Sequence, residues 1–125
     1  MNELIQYAED NNINYRIIED QYLIGIFMGI NEDEDPYDYR VAWMSYSKNN
    51  ESLNELKVVP SSRGKGIASL MVEAAKELGA KELIADAYSD GSLSQEQLVA
   101  FYERHGFVKN VGDRMVLAKF EYEYL

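Results

Sequence analysis

The sequence predicts an α/β domain: a mixed, mainly antiparallel sheet flanked by helices, with one parallel strand–helix–strand crossover. Three observations carry this. Extended segments rich in Tyr, Ile and Val occupy the first half of the chain and alternate with short polar turns. Leu53, Leu56, Val58 and Val59 suit a buried strand that Pro60 stops, and two glycines then lead into a regular amphipathic helix. A short apolar strand follows that helix, and the right-handed crossover rule sets it parallel to the strand before the helix.

The elements follow in order. Glu3 to Asn11 suits a short helix, with Leu4, Ile5 and Ala8 on one side and Asn11-Asn12 as its stop. Extended segments near Asn14–Ile18, Tyr22–Ile30 and Tyr39–Ser47 form an antiparallel meander, with turns at Glu19-Asp20-Gln21 and from Asn31 to Pro36. Asn31–Pro36 is acidic, but it lacks the glycine and closing Glu of a calcium loop and reads as a solvated hairpin tip. Ser52–Val59 is the next strand. Ile67, Leu70, Met71, Ala74, Ala75 and Leu78 recur at helical spacing, and Gly79 sits where a left-handed C-cap is expected. Lys81–Tyr88 is the crossover's second strand, followed by a loop at Ser89–Leu93. Ser94 and Gln97 form a capping box for a helix with Leu98, Phe101 and Tyr102 on its apolar face. Val108 and Arg114–Tyr122 make a final hairpin around Gly112-Asp113.

Composition narrows function. A chain of 125 residues is expected to be one domain, 1–125. No apolar run approaches the roughly 18 residues of a membrane span, and Met1-Asn2-Glu3-Leu4 shows no basic-then-apolar leader, so a cytoplasmic protein is expected. There is no cysteine, which excludes disulfides, thiolate metal sites and a cysteinyl intermediate. A net charge of −10 repels nucleic acid and anionic lipid and favours cationic partners such as amines. With a single histidine and no cysteine, a zinc site is not expected.

The stretch from Val58 to Ala68 concentrates the chemistry. A glycine turn feeding a helix start aims several N–H groups and the positive end of the helix dipole at one spot, which suits phosphate. A Walker loop does not match, because Gly66 is followed by Ile67 rather than Lys and then Ser or Thr, so a nucleoside triphosphate is not expected. The dinucleotide fingerprint is a closer rival, with Gly64-Lys65-Gly66 and Asp86 in place, but its third position is Ser69. Arg63, Lys65 and the turn's N–H groups supply the local positive charge that the overall acidity would otherwise deny an anion.

Arg63-Gly64-Lys65-Gly66-Ile67-Ala68 resembles the Arg/Gln-x-x-Gly-x-Gly/Ala loop of the GNAT (Gcn5-related) N-acetyltransferases, preceded by Val58-Val59-Pro60, the Val-x-Pro that commonly ends their fourth strand. Phe101-Tyr102-Glu103-Arg104-His105-Gly106-Phe107 resembles their later helix, which carries a Tyr and closes in Gly-Phe. The order and spacing of both motifs make the resemblance, which runs from about Tyr22 to the C-terminus. One helix before the meander, where the family usually has a strand and two helices, implies a shortened N-terminus and an acceptor cleft that is open or walled by a partner subunit. That, with the aromatic segment Phe120–Tyr124, makes a homodimer an expectation.

The resemblance implies roles. Acetyl-CoA is the cosubstrate and a cationic amine the acceptor, attacked directly. Backbone groups of Leu56, Lys57 and Val58 hold the acetyl carbonyl, and Arg63, Gly64, Lys65, Gly66, Ile67 and Ala68 hold the pyrophosphate. Tyr102 protonates the departing thiolate, a task suited to a phenol with an ordinary pKa of about 10. Gln95 stands where many members carry an Asn that bonds the pantetheine arm. Glu55 is the candidate base, offset by about three residues from the family's usual position, with Glu51 and Tyr46 as substitutes. The alternative is a GNAT-fold binding module without catalysis.

Overall fold

The computed structural model describes residues 1–30, 39–86 and 93–118. The chain forms two compact units, Met1–Ala80 and a second beginning at Lys81. The fold is mixed α/β and its strand pairs are mainly antiparallel.

The first unit opens with α1 (Asn2–Asp10), followed by β1 (Tyr15–Glu19), β2 (Leu23–Met28), β3 (Ala42–Ser47) and β4 (Ser52–Val58), each strand antiparallel to the next. A single 3₁₀ turn at Pro60–Ser62 leads to α2 (Ile67–Leu78). Strand alternation sorts the side chains into two faces. Ile17, Ile26, Met44 and Leu56 form one row across all four strands. Leu4 and Ala8 of α1 are buried on this face, where Met1, Ile5, Tyr15, Ile17 and Met28 line a small apolar recess. α2 covers the same face with Ile67, Met71, Val72, Ala74 and Ala75. Each such Ile, Met or Val is worth about 1.5–3 kcal/mol when fully buried. α2 ends at Gly79, whose φ of +118° calls for glycine and where a Cβ would stand 3.0 Å from the Tyr46 hydroxyl.

The opposite face carries the row Arg16, Phe27, Trp43 and Lys57. Phe27 and Tyr39 each stack on Trp43 with ring centroids 5.9 Å apart. The Phe27 ring lies over Gly25, where a Cβ would approach it to 2.9 Å, so a larger residue at 25 would displace the ring. The Trp43 indole nitrogen is buried without a hydrogen-bond partner. In β4 the register slips: Ser45 faces Glu55 while Tyr46 faces Leu53, leaving Asn54 as the extra residue of a bulge. The bulge allows Leu53 and Leu56, three positions apart, to share the helix-covered face.

The second unit contains β5 (Glu82–Ile84), α3 (Gln95–Glu103), β6 (Phe107–Lys109) and β7 (Arg114–Leu117). β7 pairs antiparallel with both β5 and β6. Among its described residues, Leu83, Ala85, Tyr102, Phe107, Met115 and Leu117 are the buried apolar side chains.

Several boundaries differ from the sequence expectation. The third extended segment, expected from Tyr39, is strand only from Ala42, because Arg40 and Val41 bond back to the carbonyls of Gly29 and Met28 in a tight crossing. Gly29 makes this crossing possible: its φ is +78°, and a Cβ there would lie 2.7 Å from Val41 Cγ2. The Lys81–Tyr88 strand is observed as Glu82–Ile84, and Arg114–Tyr122 as Arg114–Leu117. The acidic tip Asn31–Pro36, residues 87–92 and the aromatic segment Phe120–Tyr124 lie outside the described residues. Among the described residues, no helix is long and apolar enough to cross a membrane, and no group of His, Asp and Glu side chains could hold a metal ion.

Candidate functional site

β4 ends because Pro60 offers no donor to continue the ladder, whose last bond runs from Val59 N to Val41 O at 2.9 Å. The chain then tightens: Ser62 N donates to Val59 O at 2.9 Å and Arg63 N to Pro60 O at 3.3 Å. The Arg63 side chain folds back, its Nε donating to Val58 O at 2.9 Å. Arg63 therefore braces the turn against the end of the strand, besides bringing charge.

Gly64 and Gly66 have φ of +78° and +84°, with Lys65 between them outside the left-handed region. This alternation of hand points successive N–H groups to one side, as in an anion-binding nest. A Cβ on either glycine would meet nothing within 4 Å. Glycine is required here by the backbone, and the space above it is open. α2 starts directly after Gly66, with no side-chain cap and no acidic residue in its first turn. Leu70 N reaches back to Gly66 O at 3.1 Å, while the amides of Ile67 and Ala68 are among those a helix start leaves unsatisfied. Ile67 is buried and so fixes the first turn on the core, whereas Lys65 is exposed. Donors without caps, an open backbone surface and two cations fit a pyrophosphate group in kind.

Along β4, Leu56, Lys57 and Val58 are half-buried. The Val59–Val41 bond fixes the alternation, so Lys57 sends its N–H and C=O into the ladder with Trp43, and Leu56 and Val58 direct theirs away from β3. Glu55 is exposed and lies on the Trp43 face. Its orientation is set by the bulge at Asn54; uninterrupted alternation from Leu53 would turn it toward the helices. Tyr46 is buried on the helix-covered face beside Gly79.

In the second unit, α3 begins with both halves of the capping box. Gln97 N donates to Ser94 Oγ at 3.1 Å, and Ser94 N donates to Gln97 Oε1 at 3.0 Å. Gln95 Nε2 donates to Ala85 O and, at 3.4 Å, to Asp113 Oδ1. Ala85 N in turn donates to Asp113 O at 2.8 Å. The Gln95 amide nitrogen thus ties the helix start to the end of β5 and the turn before β7. Tyr102, about two turns further along the same side of α3, is buried with its ring edge-on to Phe101 at 5.2 Å and Phe107 at 6.3 Å. His105 closes the helix against Phe101 at 5.0 Å.

The structure gathers Leu56, Lys57, Val58 and Arg63 to Ala68 at one end of β4 in the first unit, and Gln95 and Tyr102 on one side of α3 in the second. Three contributors were not legible in the sequence: the Arg63 brace, the Asn54 bulge and the Gln95 partners. Only Asp113, in a glycine turn, carried even an indirect signal.

The family model described as "Acetyltransferase (GNAT) domain" matches residues 11–109. No curated protein matches the chain. Among solved structures, a protein assigned as an acetyltransferase from Exiguobacterium sp. 255-15 is similar at 15% identity, covering 98% of this chain and 77% of the other, with a TM-score of 0.49. A GNAT-family protein from Bacteroides thetaiotaomicron is similar at 17% identity, covering 98% and 74%, with a TM-score of 0.48. KacTA, solved in complex with DNA, is similar at 17% identity, covering 99% and 85%, with a TM-score of 0.47. These likenesses are distant, and the assignment rests on the sequence match.

Proposed function

For a chain that belongs to the GNAT acetyltransferase family, we propose transfer of an acetyl group from acetyl-CoA to the nitrogen of an amine by direct attack. The observation that carries this reading is the turn at 63–68: two left-handed glycines with open space above them, feeding an uncapped helix start. Acetyl-CoA supplies an acetyl group activated as a thioester. Backbone N–H groups from Gly64 to Ala68, with Lys65 and Arg63, hold its pyrophosphate. The strand end at Leu56–Val58 offers backbone groups to the acetyl carbonyl, and here the alternation favours Leu56 and Val58 over Lys57. Tyr102 holds the proton delivered to the departing sulfur. Glu55, exposed on a strongly acidic chain, attracts a cationic amine and accepts its proton. A cytoplasmic setting, where acetyl-CoA is available, belongs to the same proposal.

The engaged amide nitrogen of Gln95 favours a second reading, a module that keeps the fold without turnover, since the side chain expected to bond pantetheine already serves the second unit. Thiol release from acetyl-CoA over a panel of polyamines, aminoglycosides and peptide amines separates the two. Amine-dependent release is expected; a ligand-induced rise in thermal midpoint without release from any amine would establish the module instead.

A further inference from the structure

We propose that two copies of this chain pair through β1, antiparallel, about a two-fold axis at Ile18, continuing the four-stranded sheet of one first unit into that of the other. The surface follows from hydrogen-bond alternation. Gly29 N donates to Asn14 O at 2.7 Å and Asp20 N to Leu23 O at 3.0 Å, so the even-numbered residues of this segment bond β2. Tyr15, Ile17 and Glu19 therefore aim their N–H and C=O groups outward. Among the described residues no strand pairs with that edge. β1 has no proline, and its pairing with β2 runs without a bulge, so two of the common protections of a sheet edge are missing. Ile17, at its centre, is 40% exposed beside the apolar recess under α1.

The side chains select a second copy as the occupant. A closed two-fold interface must be complementary to itself. With the axis at Ile18, Ile18 opposes its counterpart, Arg16 of each copy opposes Asp20 of the other, and the two Ile17 side chains are diagonal neighbours on the α1 face. Arg16 is half-buried and has no ion pair within the chain's described residues. Asp20 is exposed and uses Oδ1 to accept from the N–H groups of Tyr22 and Leu23 at 2.7 and 2.8 Å, with Lys48 bonded to its backbone carbonyl; among the described residues its second carboxylate oxygen has no hydrogen bond. One symmetry axis thus creates two opposite-charge pairs. Moving the axis by one residue, to Ile17, sets Arg16 against Ile18 and gives neither pair. Strands this short bury less than a standard interface, so the dissociation constant is expected in the micromolar range, about 1–100 μM.

Because the chain has no cysteine, a single introduced one reports the register. Residues directly opposed in a non-hydrogen-bonded antiparallel pair have Cα atoms about 4.5 Å apart, within disulfide range. Under mild oxidation Ile18→Cys is expected to give a covalent dimer, and adding Arg16→Glu, which sets Glu against Asp20, to suppress it several-fold. Tyr22→Cys, exposed but away from the axis, is the collision control. Sedimentation velocity of the unaltered protein should show the mass doubling as concentration rises through that range, with Arg16→Glu shifting the midpoint upward at least tenfold. A monomer throughout, a dimer indifferent to Arg16→Glu, or cross-linking no greater at Ile18→Cys than at Tyr22→Cys would each overturn the proposal. If Ile18→Cys fails to fold, sedimentation of the unaltered and Arg16→Glu proteins decides alone.

Discussion

Helices α2 and α3 begin in opposite ways. α3 is closed at its start: Ser94 and Gln97 satisfy each other's backbone donors, and Gln95 engages Ala85 and Asp113. α2 begins on a left-handed glycine, without a side-chain cap, under open space. A helix start that satisfies itself is a structural joint. One that does not has donors in reserve for a ligand. The difference predicts where substitution harms function and where it harms folding.

The largest effect is expected at Tyr102, where α3's joint would serve chemistry. Tyr102→Phe keeps the ring's packing against Phe101 and Phe107 and removes the hydroxyl. If that hydroxyl protonates the leaving thiolate, turnover at saturating acetyl-CoA falls about a hundred- to ten-thousand-fold while cofactor affinity changes little. Equal turnover in the two proteins would leave Tyr102 a packing residue only.

At the open start, Gly66→Val should remove the rise in thermal midpoint produced by acetyl-CoA, which for the unaltered protein corresponds to about 2.7 kcal/mol at a hundred times the dissociation constant. Folding should suffer less, by roughly 1–2 kcal/mol, because a Cβ there meets no protein atom and only the left-handed backbone is penalised. Differential scanning fluorimetry with and without acetyl-CoA makes the comparison. A full ligand shift in Gly66→Val would remove the turn from the binding site.

The same contrast explains what the sequence could disclose. The turn uses backbone, and backbone geometry is written locally: Pro60, Gly64 and Gly66 announce a strand stop and a left-handed turn whatever surrounds them. The capping box at Ser94 and the C-cap at Gly79 were legible for the same reason. The placements of Glu55 and Gln95 were not. Glu55 depends on an extra residue in β4 that no alternation pattern reveals, since Leu53-Asn54-Glu55-Leu56 reads equally well in either register. Gln95 depends on Ala85 and Asp113, 10 and 18 positions away, brought together only by the pairing of β5 with β7. The strand starts only at Ala42 although the aromatic and β-branched residues from Tyr39 suit one, because the crossing at Gly29 takes the N–H groups of Arg40 and Val41 elsewhere.

Gln95→Ala tests which side of the comparison that residue belongs to. As a joint, its loss leaves Ala85 O without this donor and should lower stability by about 1–3 kcal/mol with the acetyl-CoA dissociation constant unchanged. As a pantetheine contact, it should weaken cofactor binding at little cost to folding. Denaturant titration beside a binding isotherm separates these outcomes, and the geometry favours the first.

The smallest effect is expected at Ser94, and it tests the premise that a closed helix start is structural alone. Ser94→Ala removes the acceptor for Gln97 N and releases Gln97 Oε1 from its reciprocal bond. Losing an N-cap of this kind costs about 0.5–2 kcal/mol, and the position is exposed, so water can take over part of the duty and the lower end applies. Since neither bond reaches a ligand, the ligand-induced thermal shift should stay as large as in the unaltered protein, only measured from a lower starting midpoint. Ser94→Asp, which keeps an acceptor and adds charge favourable to a helix N-terminus, should recover the loss. A Ser94→Ala protein of unchanged stability but diminished acetyl-CoA shift would invert the contrast: the capped start of α3 would then belong to the binding site, and the distinction between closed and open starts would fail as a guide to function in this fold.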